Sequence, residues 1–233
     1  MTRELLVVGL ESSGERGSVA LLRGDSLLGE EALGTGTAHG VALHPAMERL
    51  LKQARLKPRD LGLVVVGTGP GSFTGMRVGV AAARALAFAL RIPVAGVPSY
   101  EALAAAAPAD VPAVACVRDA RRGEAWFALY GPSKGGVRPA AIPPSRCTLE
   151  EAAAACPAGT LVLGEHRAAL AAIARAAGVR AGSEEESAVR ASVVARLGLA
   201  RFRRDGASDP ASVVPLYLQE PHALRKGEGA RGG

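Results

Sequence analysis

Two stretches of the chain follow one plan: VGLESSGERGSVALL (Val8–Leu22) and CVRDARRGEAWFALY (Cys116–Tyr130). Each reads as an apolar strand ending in a carboxylate (Glu11, Asp119), a turn with a glycine (Gly17, Gly123) and a returning strand. A duplicated unit constrains the fold more than any single motif, because both copies must bury the same kind of face. Around the first copy, Leu5–Leu10, Ser18–Leu22 and Leu27–Leu33 are expected strands, the last two joined at Gly24-Asp25. Val41, Leu43, Met47, Leu50 and Leu51 stripe a helix over His39–Ala54. A strand at Leu63–Val66 leads into a glycine loop and a helix to Leu90, with Thr74 as its N-cap. Pro93–Val97 is the next strand, and Ser99 caps a helix to Ala107.

After Pro108-Ala-Asp-Val-Pro112 the order starts again. Strands are expected at Ala113–Val117, Ala125–Tyr130 and Gly136–Ile142, then a helix (Thr148–Cys156), a strand (Thr160–Leu163) and a helix (Glu165–Ala177). A last helix, Ser187–Arg204, has Ser183–Glu186 before it as a capping signal and Gly206 after it. Two βββαβαβα units predict an α/β chain with a pseudo-twofold axis and a reduced second lobe. The expected division is residues 1–108, 109–209, and a C-terminal segment 210–233 that packs back on the first lobe and ends in disorder.

Composition narrows the class. Of the 233 residues, 48% are hydrophobic and 21% charged, which suits a globular protein with a real core. The net charge is +6, nearly all of it arginine, without a basic block interleaved with aromatics. Three cysteines form no CxxC pair, which points to a reducing cytoplasm. The longest apolar run, Val78–Val97, is broken by Arg84, Arg91 and Pro93, so no ordinary membrane span is expected.

The loop Gly67–Gly79 has the look of a phosphate cradle. It fails the dinucleotide fingerprint, since Ser72 stands where the third glycine belongs, and it fails the P-loop, since Met76-Arg77 follow Gly75. Two alternatives stay open: the N–H groups of Ser72, Phe73 and Thr74 bind an anion, or Gly69-Pro70-Gly71 only turns the chain. Gly75, Gly79 and Ala83, with Ala82 alongside, share one face of the following helix. That bare face admits either a partner helix or close packing inside the chain. His39 and His44 are five apart and fall on different faces, and His166 and His222 stand alone. No metal pair and no catalytic triad is expected.

The duplicated order resembles the actin-like ATPase (ribonuclease H-like) fold, in which a nucleotide lies between the copies. On that resemblance the alternative nucleotide site is Glu11, Ser12, Gly69, Gly71, Ser72 and Asp119. GPGSFTGMRVGVAAARALA (Gly69–Ala87) closely resembles the signature of the TsaB (YeaZ) family. DARRGEAWFALY (Asp119–Tyr130), PVAGVPSYEAL (Pro93–Leu103), PLYL (Pro215–Leu218), His39 and the opening strand agree with it. The resemblance implies a non-catalytic scaffold for TsaD, which transfers a threonylcarbamoyl group to N6 of the adenosine next to the tRNA anticodon. It also implies a TsaE ATPase as further partner, tRNA contact through the complex, and a homodimer when the chain is alone. The implied interface is His39, Leu43, Met47, Gly75, Met76, Gly79, Ala82, Ala83 and Leu86. No tightly bound cofactor is implied, with ATP or ADP at the complex interface as an option. The chain departs from the pattern at Glu11-Ser12-Ser13, where Asp-Thr is usual, and at Gln219, where Arg is usual. The alternatives are an ATP-binding phosphotransferase or peptidase-like enzyme, and an RNA-binding module using the arginine surface.

Overall fold

The apolar run β1 (Leu6–Glu11) is buried along its whole length and lies in the middle of a five-stranded sheet, order β3-β2-β1-β4-β5. β2 (Arg16–Arg23) and β3 (Ser26–Thr35) form an antiparallel meander with it. β4 (Leu63–Gly67) and β5 (Val94–Val97) extend the sheet in parallel. Parallel neighbours need crossovers, supplied by α1 (His39–Gln53) before β4 and α2 (Phe73–Leu90) before β5. α3 (Ser99–Ala106) closes the first unit. The computed structural model describes residues 4–35, 39–207 and 209–218, Thr35 and His39 by backbone alone. Gln219, His222 and the expected loose end lie outside the described residues.

The second unit repeats the wiring. β6 (Ala113–Arg121), β7 (Glu124–Tyr130) and β8 (Ala140–Thr148) form the meander, and β9 (Thr160–Gly164) and β10 (Arg180–Ala181) the parallel extension. The order is β10-β9-β6-β7-β8, the first sheet's order strand for strand. α4 (Leu149–Ala154) and α5 (Arg167–Ala177) are the crossovers and α6 (Ala191–Asp205) the last helix. With a six-residue α4 and a two-residue β10, the second unit is indeed the reduced one. The duplicated actin-like arrangement is therefore present in full.

Several boundaries differ from expectation for local reasons. β8 starts at Ala140 because Gly135 and Gly136 take positive φ and turn the chain where a strand is expected. Just after that turn, the buried guanidinium of Arg138 donates to the carbonyls of Pro108, Val111 and Gly131 at 2.6, 2.8 and 2.9 Å. It ties the linker between the units to the end of β7. Ser183 and Glu186 exchange backbone and side-chain bonds within their own turn, so α6 begins at Ala191. Ser72, not Thr74, caps α2 by accepting the Gly75 N–H, and Pro98 takes the cap position of α3 in place of Ser99.

Packing does not follow the sequence halves. α1 and α2 cover the outer face of the first sheet, as α4 and α5 cover the second. Between the sheets the last helices change sides. α3 carries Tyr100, Leu103 and Ala104 onto Val114, Cys116, Ala128 and Leu161 of the second sheet. α6 lays Ala191, Val194, Ala195 and Leu199 on Val7, Leu63, Val65 and Val97 of the first. α6, which follows the expected division at residue 108, packs into the core of the first sheet. Its start is fixed by the first sheet, Ser18 Oγ accepting the Ala191 N–H at 2.9 Å and Glu30 accepting the Ser192 N–H at 3.0 Å and its hydroxyl at 2.6 Å. A carboxylate at that end also suits the helix dipole. Val213 sits in the outer core of the first lobe, and the Leu216 N–H bonds the Thr68 carbonyl at 2.8 Å.

α2 is the one described helix long and apolar enough to cross a membrane by length and composition. It is a crossover between adjacent parallel strands, with Arg77 and Arg84 on its exposed face. It is therefore a layer of this domain.

The close seat of α6 is testable. A Cβ at Gly9 would stand 2.4 Å from the Ala191 carbonyl oxygen and 2.8 Å from the Ala195 Cβ. Gly9→Ala must push the helix backbone away, and is expected to cost about 2–3 kcal/mol in urea melts. A stability equal to that of the parent chain would contradict this packing.

Candidate functional site: the junction between the lobes

Glu11 ends β1 beside Gly67, which ends β4, because the two strands pair in parallel up to Leu10 and Val66. A Cβ on Gly67 would lie 2.0 Å from Glu11 Oε2, so only glycine leaves room for the carboxyl group. Glu11 is fully buried. Its Oε1 accepts the Ser13 N–H at 2.6 Å and its Oε2 the Ser99 hydroxyl at 2.8 Å. Ser99 Oγ in turn accepts the Gly69 N–H at 3.0 Å and the Ser13 hydroxyl at 2.9 Å. Burial raises the Glu11 pKa, the Ser13 and Ser99 bonds oppose that rise, and the charge of Glu165 adds to it.

The glycine loop closes over the turn after β1. The Ser13 carbonyl accepts the Ser72 N–H at 2.6 Å, and Ser12 Oγ donates to the Gly75 carbonyl at 2.8 Å. Added Cβ atoms would meet Ser13 O at 2.3 Å from Gly71, Ser12 O at 2.1 Å from Gly75 and Ser12 Oγ at 2.3 Å from Gly79. This settles the question left open by spacing. The bare face of α2 receives the chain's own Ser12 at Gly75 and Gly79, the close packing inside the chain that the spacing also allowed. Leu43, Met47, Met76 and Ala83 are buried too, while Ala82 and Leu86 are half-buried against the same core. The His39 side chain lies outside the described residues. What α1 and α2 present outward is different: Val41, Phe73, Arg77, Arg84 and Phe88, with Val41 83% and Phe88 86% exposed.

Of the residues expected around a nucleotide, the structure gathers Glu11, Ser12, Gly69, Gly71 and Ser72 in one joint. Asp119 Oδ1 accepts the Arg121 N–H at 2.7 Å, the same two-residue step that Glu11 makes to Ser13. Both carboxylates thus brace the turns that follow their strands. The Ser72 N–H, one of the proposed anion donors, is spent on Ser13. Arg118 reaches across the junction to the Ser13 carbonyl at 3.3 Å and Glu165 at 3.1 Å. The cavity between Ser13, Tyr100, Arg118 and Glu165 measures about 20 Å³, room for one water. Ligand pockets of several hundred Å³ are usual, so a nucleotide here requires the lobes to part.

Among the described residues one group brings possible metal ligands together: Glu15, Glu165 and His166, within 4.8 Å of one another. His166 is thus not isolated, as its place in the sequence suggested. Glu165 already accepts the Glu15 N–H and pairs with Arg118, so its charge is answered within the chain. The Ser99 and Glu165 contacts span 88 and 150 residues, beyond any local pattern.

Comparison with known proteins places this geometry. Residues 34–159, more than half of the chain, match the family described as "TsaD: tRNA N6-adenosine threonylcarbamoyltransferase". A Bacillus subtilis protein named "tRNA threonylcarbamoyladenosine biosynthesis protein TsaB" is 36% identical over 54% of this chain and 55% of its own length. The chain belongs to the TsaB/YeaZ family. An uncharacterised Mycobacterium tuberculosis relative is 34% identical over 84% of the chain and 82% of its own length. YeaZ from Pseudomonas aeruginosa has the same fold, with a TM-score of 0.78 at 24% identity, covering 92% of this chain and 100% of that one. The match to the Bacillus relative spans about half of that protein. In this TsaB/YeaZ member the glycine loop is a structural joint around Glu11.

The raised Glu11 pKa fixes a sign. The folded state holds this proton more firmly than the unfolded chain, so its contribution is complete below the ordinary glutamate range and falls as pH rises through it. Glu11→Gln should flatten that dependence, the parent losing stability relative to the variant from about pH 4.5 upward. Paired urea melts across pH 4–8 measure it. A parent that gains on the variant with rising pH would show the carboxylate to be stabilised as an anion.

Proposed function

We propose that the chain is a non-catalytic subunit of a complex that forms threonylcarbamoyladenosine in tRNA, pairing with a TsaD-like catalytic chain. The carrying observation is the division of labour between two surfaces. The junction where an actin-like enzyme would hold its nucleotide is closed by Ser13, Arg118 and Glu165, while Val41 and Phe88 stand out in water on the adjoining helices α1 and α2. Large apolar side chains left in water on two neighbouring helices are what a partner's apolar surface would cover. The proposed interface is therefore the outer face of α1 and α2, with Leu43, Met47, Gly79 and Ala83 supporting it from below. The name of the Bacillus relative supports the pathway.

On this reading a TsaE-like ATPase docks on the pair, tRNA is met through the complex, and ATP or ADP binds at the shared interface. Alone, the chain dimerises through the same face in the cytoplasm. Phe88→Asp places a charge on the proposed interface without touching the core. It is expected to weaken pairing with the TsaD-like chain more than tenfold in a pull-down titration, with an unchanged circular dichroism spectrum. Unaltered pairing by Phe88→Asp and by Val41→Asp would remove α1 and α2 from the interface.

A further inference from the structure

The chain has four phenylalanines, three tyrosines and one tryptophan. Phe127, Tyr100 and Tyr130 are core residues. Phe73, Trp126 and Tyr217, from three distant segments, instead line one open pocket of about 130 Å³ beside Pro70 and Leu218. The rings of Phe73 and Tyr217 are tilted at 37° with centroids 5.3 Å apart, and they are 46% and 41% exposed. Arginines cover this cluster. The Arg77 guanidinium lies 5.0 Å from the Phe73 centroid and Arg146 5.9 Å from that of Trp126. In the second sheet Trp126 is paired with Arg118 on one side and Arg146 on the other, so the three project from one face. Arg146 is neutralised by Glu124, whereas Arg77 has no ion pair among the described residues.

We infer that this pocket is a stacking site for a single unpaired nucleobase. The volume is too small for a whole nucleotide and suits one planar ring whose sugar and phosphate remain outside. Aromatic faces and guanidinium planes stack on any base, and a free arginine at the rim answers the phosphate. An aliphatic ligand would use the rings but not Arg77. The base comes either from a single-stranded RNA segment or from a free nucleotide. The site does not rest on pairing with a TsaD-like chain, and the lone protein, at concentrations where it is monomeric, tests it.

Trp126 is the only tryptophan and lies in the pocket, so its emission reports occupancy directly. The purified chain is titrated with AMP and with a short single-stranded oligoribonucleotide at two salt concentrations. Saturable quenching is expected, with affinity at least tenfold lower in Phe73→Ala and Tyr217→Ala, which keep the reporter. Quenching by the oligonucleotide alone, weakened by salt and by Arg77→Gln, assigns RNA as the source. Equal quenching by AMP assigns a free nucleotide. No saturable quenching by either probe, or quenching unchanged in both alanine variants, overturns the inference.

Discussion

The structure depends on the crossing of two helices between two sheets. Neither α3 nor α6 lies where its own unit would need it, and each supplies the inner face of the other sheet. The exchange is tight because glycines remove the spacing that side chains impose: Gly9 seats the start of α6, and at Gly198 a Cβ would come within 2.2 Å of Val65. Arg201 then fastens α6 to Glu101 of α3 and to the Gly96 carbonyl. The two lobes therefore share one middle layer, and opening between them must be a motion about that layer.

A buried carboxyl group at the C-terminal end of β1 gives this arrangement a polar pin. Glu11 collects the turn after β1, the glycine loop and the start of α3 through Ser13 and Ser99. A buried acid is costly unless its bonds are complete, and here both oxygens are used. An aspartate, one methylene shorter, would not span the same gap from β1 to Ser99.

The topology was legible from sequence because strand, turn and crossover leave local marks: the carboxylate–glycine–strand repeat foretold two βββαβαβα units. The α1 stripe placed Leu43, Met47, Leu50 and Leu51 inside, whereas Val41, counted in the same stripe, stands exposed at the start of the helix. The site was legible only in part. The spacing of Gly75 and Gly79 told that something approaches closely, but not that it is Ser12, since that contact is made across more than sixty residues of chain. Ser99 looked like a helix cap because capping is the common local use of such a residue, and its partner Glu11 is invisible to any local pattern. The contacts of Arg118 to Ser13 and Glu165 are equally invisible, since they join segments far apart in the chain.

The exchange of α6 and the seat of Val213 have a consequence for how the protein is made. The first sheet to leave the ribosome is the last to be covered, since residues 191–213 complete both of its faces. Until they emerge, Val7, Val65 and Val97 lack their cover, and a stalled or truncated chain would present a bare apolar sheet. Synthesis of the whole chain is thus a condition for burying its own beginning.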